Sequence, residues 1–217
     1  DTDYFSPRKD EKLILPSIGL NLSEAKEIVT YVSRGMEPYR GFPQFMETVS
    51  LLQQRRKDCH VVVVGEDRVA YGRRLPDGKS YKQMMLYKFD FDLSRLHFTG
   101  RLPYNQYLQV LRASSVHVYL TRPFVLSWSM LEAMSAGCLI IASNTPTVTE
   151  VIQDGVNGIL VDFFSPRNIL EKIENALENP DTMKKVRIHA RETIMNKYNL
   201  HDLLPKHLKW IKDIIAN

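Results

Sequence analysis

"YLTRPFVLSWSMLEAMSAGCLIIAS", which runs from Tyr119 to Ser143, contains the repeating unit of the fold. Residues 116–120 and 139–142 are short apolar runs typical of buried strands, and residues 129–136 between them have helical spacing. Two consecutive strands joined through a helix run parallel, because the helix carries the chain back to the starting edge. The stretch therefore predicts a strand-helix-strand unit of a parallel sheet.

The same alternation extends on both sides of this unit. Apolar runs predict further strands at 28–33, 60–64, 96–99 and 159–161, and helical spacing predicts helices at 42–54, 81–88 and 104–113. Right-handed crossovers place such helices on both faces of the sheet. The predicted fold class is therefore α/β, a Rossmann-like doubly wound parallel sheet.

Helices alone follow the last predicted strand. Ser165-Pro166 and Asn179-Pro180 each place a capping side chain before a proline at the first helical position, and a final helix is expected at 201–215. The final helix has an apolar face, which packs either on this domain or on a partner domain; its residues are Leu203, Leu204, Leu208, Trp210 and Ile211. The expected organisation is a linker at 1–20, a Rossmann-like domain at 21–198 and a C-terminal helix at 199–217.

Composition narrows the class of protein. The chain has 217 residues, of which 44% are hydrophobic and 25% charged, with a net charge of +4. Its apolar runs are far shorter than the roughly 20 residues that span a bilayer, and no secretory signal pattern opens it, which favours a cytoplasmic location. Cys59 and Cys138 stand alone at strand starts and predict buried thiols. The positive charge is scattered, which does not indicate nucleic-acid binding.

Ligands of a doubly wound sheet bind outside the carboxyl ends of its strands. Four residues at these positions are candidates: Gly35, Gly65, Gly100 and Arg101. A glycine at the end of a strand permits a ligand to approach the backbone closely. A tight turn after the strand requires glycine as well, because of its conformational freedom. The basic loop 72–82, "GRRLPDGKSYK", is either a phosphate clamp or an exposed loop.

Two arginines and one acid have the strongest chemical pattern. Arg34 follows a strand and Arg40 precedes a helix, so their guanidiniums could hold a diphosphate or simply be solvated around a Glu-Pro turn. Leu126, Ser127 and Trp128 should present backbone N–H groups at a helix N-terminus. Glu132, in the same helix, could accept two ribose hydroxyls or lie exposed on an amphipathic helix.

Four segments in this order resemble the C-terminal, donor-binding domain of a family 4, GT-B-fold retaining glycosyltransferase (group 1 glycosyl transferase). They are "DTDYFSP" of the interdomain linker, "YVSRGMEPYRGF" with the first-strand arginine, "SMLEAMSAGCLIIAS" and "TEVIQDGVNGILVDFFSP". The linker and the L-E-A-M segment favour the transferase over a related phosphorylase or epimerase.

The resemblance implies transfer of a sugar from a nucleoside diphosphate to an acceptor, with retention of configuration and without a metal or other cofactor. Arg34, Arg40 and Glu132 would be its catalytic residues. The donor would also contact Gly35, Gly65, Gly100, Arg101, Phe124, Leu126, Ser127, Trp128 and Leu131. The acceptor would bind an N-terminal domain outside this chain, so the isolated chain should be inactive. Association of the full-length protein with a membrane surface stays open.

One position departs from the family pattern. The family's E-x7-E motif has its first acid eight residues before Glu132, where this chain has Phe124. In the family that acid contacts the donor sugar, and an aromatic ring offers a packing surface instead. The change indicates a subfamily variant that handles another sugar; the alternative is a degenerate, non-catalytic nucleotide-sugar-binding module.

Overall fold

The computed structural model describes residues 1–9, 11–122 and 125–215. Its strands are β1 (Ile14–Leu15), β2 (Leu20–Asn21), β3 (Glu27–Gly35), β4 (Cys59–Glu66), β5 (Leu96–Gly100), β6 (Val116–Tyr119), β7 (Ile140–Ser143) and β8 (Ile159–Val161). Its helices are α1 (Phe42–Arg55), α2 (Tyr81–Lys88), α3 (Tyr104–Arg112), α4 (Trp128–Ser135), α5 (Pro146–Thr149), α6 (Pro166–Glu178), α7 (Pro180–Lys197) and α8 (Leu200–Ile215). The alternation predicted from the sequence is confirmed.

The main sheet has the strand order β5-β4-β3-β6-β7-β8, and every neighbouring pair is parallel. From β3 the chain first adds β4 and β5 on one side, then crosses to the other side and adds β6, β7 and β8. The strand order reverses between β3 and β6, and a crevice forms at the carboxyl ends of the strands at such a point. This topology is the Rossmann-like fold expected from the sequence.

Side chains alternate between two apolar cores. Val61 and Val63 of β4 point into the core beneath α1 and α6, whereas Val62 and Val64 point into the core beneath α3 and α4. All four are 5% exposed or less. Because both faces of the strand are covered, the run reads as continuously apolar in the sequence instead of alternating.

Residues 1–9 and 11–22 form an N-terminal strap that lies across the second core. Phe5, Leu13 and Leu15 are buried in it. Arg112 of α3 donates to the Ser6 carbonyl (2.7 Å), and Arg191 of α7 donates to the Phe5 carbonyl (3.1 Å). The sequence pattern missed the β1–β2 hairpin in this segment, because each strand is only two residues long. A linker role for residues 1–20 stays a prediction.

The two proline-led helices start differently. The Ser165 hydroxyl accepts a hydrogen bond from the Asn168 N–H (3.2 Å), as the capping pattern predicts for α6. Asn179 does not cap α7, because its side-chain amide donates backward to the Asn175 carbonyl (2.9 Å). The capping prediction was therefore right for Ser165 and wrong for Asn179. Both cysteines are buried free thiols, as expected, and burial raises the pKa of each to about 12.

Helix α8 lies on the surface, and none of its residues is buried. Leu204, Leu208 and Ile211 are each about half exposed. The first of the two sequence alternatives, in which this helix buries its apolar face on its own domain, is therefore wrong. Among the described residues, no helix is both long and apolar enough to cross a membrane.

Candidate nucleotide-binding site

A cavity of about 710 Å³ opens at the carboxyl ends of β3, β4 and β5. Its walls are completed by the loop after β5 and by α3 and α4. The lining residues are Val32, Ser33, Arg34, Val64, Gly65, Glu66, Arg68, Arg101, Leu102, Pro103, Tyr104, Tyr107, Ser129 and Glu132. The cavity therefore occupies the crevice that the strand order predicts, and it brings together Arg34, Gly65, Arg101 and Glu132 from the sequence-predicted set.

Glu132 forms one wall together with Tyr107. The Tyr107 hydroxyl donates a 2.9 Å hydrogen bond to Oε2 of Glu132, which orients the carboxylate and leaves Oε1 outside this bond. Burial raises the pKa of Glu132, and the hydrogen bond from Tyr107 offsets part of that rise. The pKa of Tyr107 is also raised, first by burial and then by the charge of Glu132. A half-buried, oriented carboxylate of this kind can accept hydrogen bonds from two neighbouring hydroxyl groups of a ligand.

Arg34 and Arg101 supply positive charge to the lining of the cavity. Both side chains are exposed and line it directly. Within the described part of the chain, the guanidinium of Arg34 has no hydrogen bond or ion pair to hold it elsewhere. It is therefore positioned to bind an anionic group of a ligand.

Arg40 lies outside the lining of this cavity and is 8% exposed. Its guanidinium donates to the hydroxyls of Tyr119 (3.1 Å) and Thr121 (3.0 Å) and to the Val125 carbonyl (3.3 Å). These contacts tie the end of β6 to the loop before α4. The structure thus shows Arg40 fastening that loop and does not bring it into one cavity with Arg34; a role in binding diphosphate stays a prediction.

The start of α4 is less open to ligands than the sequence suggests. The Ser127 N–H donates to the Tyr119 hydroxyl (2.8 Å), and the Ser129 N–H donates to the Ser127 hydroxyl (3.3 Å). Trp128 is 80% exposed, whereas Leu126 and Leu131 pack partly against the core. None of the four residues Leu126, Ser127, Trp128 and Leu131 lines the cavity. Phe124 lies outside the described residues.

The three candidate glycines serve different purposes. A Cβ on Gly65 would lie 1.9 Å from the Ser33 carbonyl oxygen, and a Cβ on Gly35 would lie 2.6 Å from the Arg68 carbonyl oxygen, so both positions keep neighbouring backbones close. Gly100 has φ +68° with open space around its Cβ position. Only Gly65 lines the cavity. Backbone packing accounts for Gly35 and Gly65, and turn geometry accounts for Gly100.

Sequence reasoning missed several residues of the site. Glu66 and Arg68 line the cavity and form an ion pair of 2.6 Å with each other. Glu37 is fully buried, and its carboxylate accepts the backbone N–H groups of Tyr71 (3.0 Å) and Gly72 (2.6 Å). The position of Glu66 at the end of β4, with Arg68 two residues later, was the available signal. Nothing in the sequence indicated that Glu37 anchors a loop that follows another strand.

Residues 18–193 match the family described as glycosyl transferases group 1. The chain belongs to this family. Among curated relatives, an uncharacterized glycosyltransferase of Methanocaldococcus jannaschii is 28% identical over 55% of this chain and 31% of its own length. The alpha-D-kanosaminyltransferase of Streptomyces kanamyceticus is 23% identical over 81% of this chain and 42% of its own length. The chain therefore spans about a third to two fifths of these relatives.

Solved structures share the fold of this group 1 domain. The C-terminal domain of the group 1 protein LpcC from Francisella tularensis has a TM-score of 0.75 at 20% identity, covering 92% of this chain and 98% of that one. HepE of Anabaena, solved with UDP-glucose, has a TM-score of 0.80 at 15% identity, covering 98% of this chain and 55% of that one. At these identities the likeness establishes the GT-B-type, Rossmann-like fold of the domain.

Proposed function

We propose that this chain is the donor-binding domain of a retaining glycosyltransferase, which transfers a sugar from a nucleoside diphosphate sugar to an acceptor. The observation that carries the proposal is the cavity at the switch point of the sheet, where Arg34 and Glu132 face one ligand-sized space. A cation and an oriented carboxylate that line one cavity suit the diphosphate and the ribose of one nucleotide.

Each residue has a distinct part in this proposal. Glu132 accepts the two ribose hydroxyls and so fixes the nucleotide along the cavity. Arg34 binds the diphosphate, on which negative charge grows as the sugar leaves, so its fixed positive charge stabilises the transition state. Arg40 holds the loop before α4 through Tyr119, Thr121 and Val125, and so keeps the start of the helix that carries Glu132 in place.

The proposal includes no metal ion or other cofactor. In family members of this type, charge on the departing diphosphate is balanced by cationic side chains. Among the described residues, no group of three His, Cys, Asp or Glu side chains is placed to hold a metal. Transfer by the intact protein should therefore proceed at the same rate with and without a chelator such as EDTA.

The acceptor, in this proposal, binds an N-terminal domain beyond the present chain. The uncovered apolar face of α8 supports a partner domain packing nearby. The isolated chain should bind the donor but transfer no sugar.

Calorimetric titration of this chain with UDP, GDP and ADP tests donor binding. We expect one nucleotide to bind and Glu132→Ala to weaken it at least tenfold, because the ribose loses hydrogen bonds to a charged acceptor. Glu24→Ala is the matched control, since Glu24 is 89% exposed at the opposite end of the sheet. Acceptor-dependent transfer by the intact protein then separates an enzyme from a non-catalytic binder.

A further inference from the structure

The wall formed by the end of β4 and the loop after β5 is the part of the cavity left for the base if the proposed function holds. A nucleoside diphosphate is linear, with its ribose between the base and the phosphates. With the ribose at Glu132 on α4 and the diphosphate near Arg34 on β3, the lining left for the base comes from the end of β4, the loop after β5 and the start of α3. This inference rests on the proposed function and concerns the part of the site that it leaves unassigned.

Glu66 and Arg68 are the charged pair on that wall. The Nε of Arg68 lies 2.6 Å from Oε2 of Glu66, and the side chains are 48% and 41% exposed. Among the described residues, the terminal amino groups of Arg68 have no other hydrogen-bond partner. The pair therefore presents a carboxylate acceptor and guanidinium donors side by side to the cavity.

The loop that carries this pair is fixed at three points. The Met36 N–H donates to the Glu66 carbonyl (3.2 Å), and Gly35 lets the backbone of Arg68 pack directly against β3. The buried carboxylate of Glu37 holds Tyr71 and Gly72. Because the backbone is held on both sides of Arg68, the ion pair is in place before a ligand binds, which lowers the entropic cost of binding.

Guanine is the base that matches such a pair. Its Watson–Crick edge offers two adjacent donors, N1–H and the N2 amino group, to one carboxylate, and its O6 and N7 accept from an arginine. Uracil has a single N3–H between two carbonyl oxygens. Adenine and cytosine each place an acceptor nitrogen beside their amino group. Each of these three bases would place an acceptor lone pair opposite the carboxylate. The resulting polar contact has no hydrogen bond and weakens binding.

We propose that Glu66 and Arg68 read the base of the donor and make the site selective for guanosine diphosphate sugars. Glu66 accepts N1–H and the N2 amino group, and Arg68 donates to O6 or N7. Tyr104, which is 64% exposed and lines the same wall, provides a face on which the base stacks.

Titration with GDP, IDP, UDP, ADP and CDP tests the selectivity of the chain. IDP differs from GDP only by lacking the N2 amino group, so it isolates one hydrogen bond to Glu66. We expect GDP to bind at least about tenfold more tightly than each of the other four nucleotides, as the loss of a hydrogen bond to a charged group predicts. Tighter or equal binding of UDP, ADP or CDP overturns the guanine assignment.

Variants at Glu66 and Asp67 test whether the carboxylate of Glu66 recognises the base. Glu66→Gln should reduce the preference for GDP over IDP to about threefold or less, whereas Asp67→Asn, which removes the same charge from the adjacent residue outside the cavity lining, should leave it unchanged. An unchanged preference in Glu66→Gln overturns the role of Glu66. If UDP binds at least as tightly as GDP and Glu132→Ala abolishes that binding, the proposed function stands and the guanine inference falls. If no nucleotide binds the wild-type chain, both are overturned.

Discussion

Replacement of Glu37 by alanine should destabilise the domain although Glu37 lies outside the cavity lining. The fully buried carboxylate accepts the N–H groups of Tyr71 and Gly72, and alanine would leave both donors without an acceptor. A lost hydrogen bond to a charged acceptor costs about 1.5–3 kcal/mol, so two cost about 3–6 kcal/mol. Relief of the carboxylate from burial offsets part of this cost, and we expect a net loss of about 3 kcal/mol in the free energy of unfolding.

Urea unfolding followed by circular dichroism measures this loss. For a domain of this size, about 3 kcal/mol corresponds to a drop of roughly 6–12 °C in the melting temperature. Hydrogen exchange of the Tyr71 and Gly72 amides should accelerate in Glu37→Ala and not in the exposed control Glu24→Ala. A loss below about 1 kcal/mol with unchanged exchange would refute the reasoning, because it would show that water or another acceptor replaces the carboxylate.

Three further predictions concern changes in stability that follow from the surroundings of one or two residues. Gly65→Ala places a methyl group 1.9 Å from the Ser33 carbonyl oxygen at φ +140°, so it should lose about 3 kcal/mol or more in urea unfolding, against about 1 kcal/mol for Gly78→Ala at φ +74° in open space. Burial raises the pKa of Glu132, so the protonated carboxyl group stabilises the folded state relative to the ionised carboxylate. This contribution to the free energy of unfolding is lost as the pH rises through the raised pKa. Glu132→Gln should therefore melt higher than wild type at pH 7, and the two melting temperatures should converge below pH 4.5; a lower melting temperature at pH 7 would contradict this. Burial lowers the pKa values of His60 and His97, whose ring nitrogens lie 3.1 Å apart, so stability should fall as the pH drops below 6.5. A double His60→Asn, His97→Asn variant that lost as much stability between pH 7 and 5 as wild type would show that other groups cause the fall.

The sheet could be predicted from the sequence because its strands are covered on both faces. A run such as Val61 to Val64 has no polar position, which indicates a buried strand without knowledge of its neighbours. The hairpin of β1 and β2 and the four-residue helix α5 could not be predicted, because they are too short for any periodicity to develop. Their conformations depend on tertiary packing.

The site was predictable where a residue lies at the end of a strand or in the first turns of the helix that follows it. Arg34 and Glu132 were identified from their positions, and the structure brings them to one cavity. The surroundings of Arg40 depend on Tyr119 and Thr121, which are about 80 residues away in the sequence. The anchoring of the 66–72 loop by Glu37 is similarly remote. Contacts of this range follow from strand order, which local pattern does not determine.

The N-terminal strap has a consequence for the order of events during synthesis. Residues 2–6 leave the ribosome well before α7 does, yet one guanidinium that holds them belongs to Arg191 of α7. At about 5–20 residues per second, roughly 10–40 s separate the appearance of the two partners. The Thr2 carbonyl, which accepts from Arg191, therefore stays hydrated until α7 emerges and docks. Any segment fused in front of the strap would take its final place against this domain only at the end of translation.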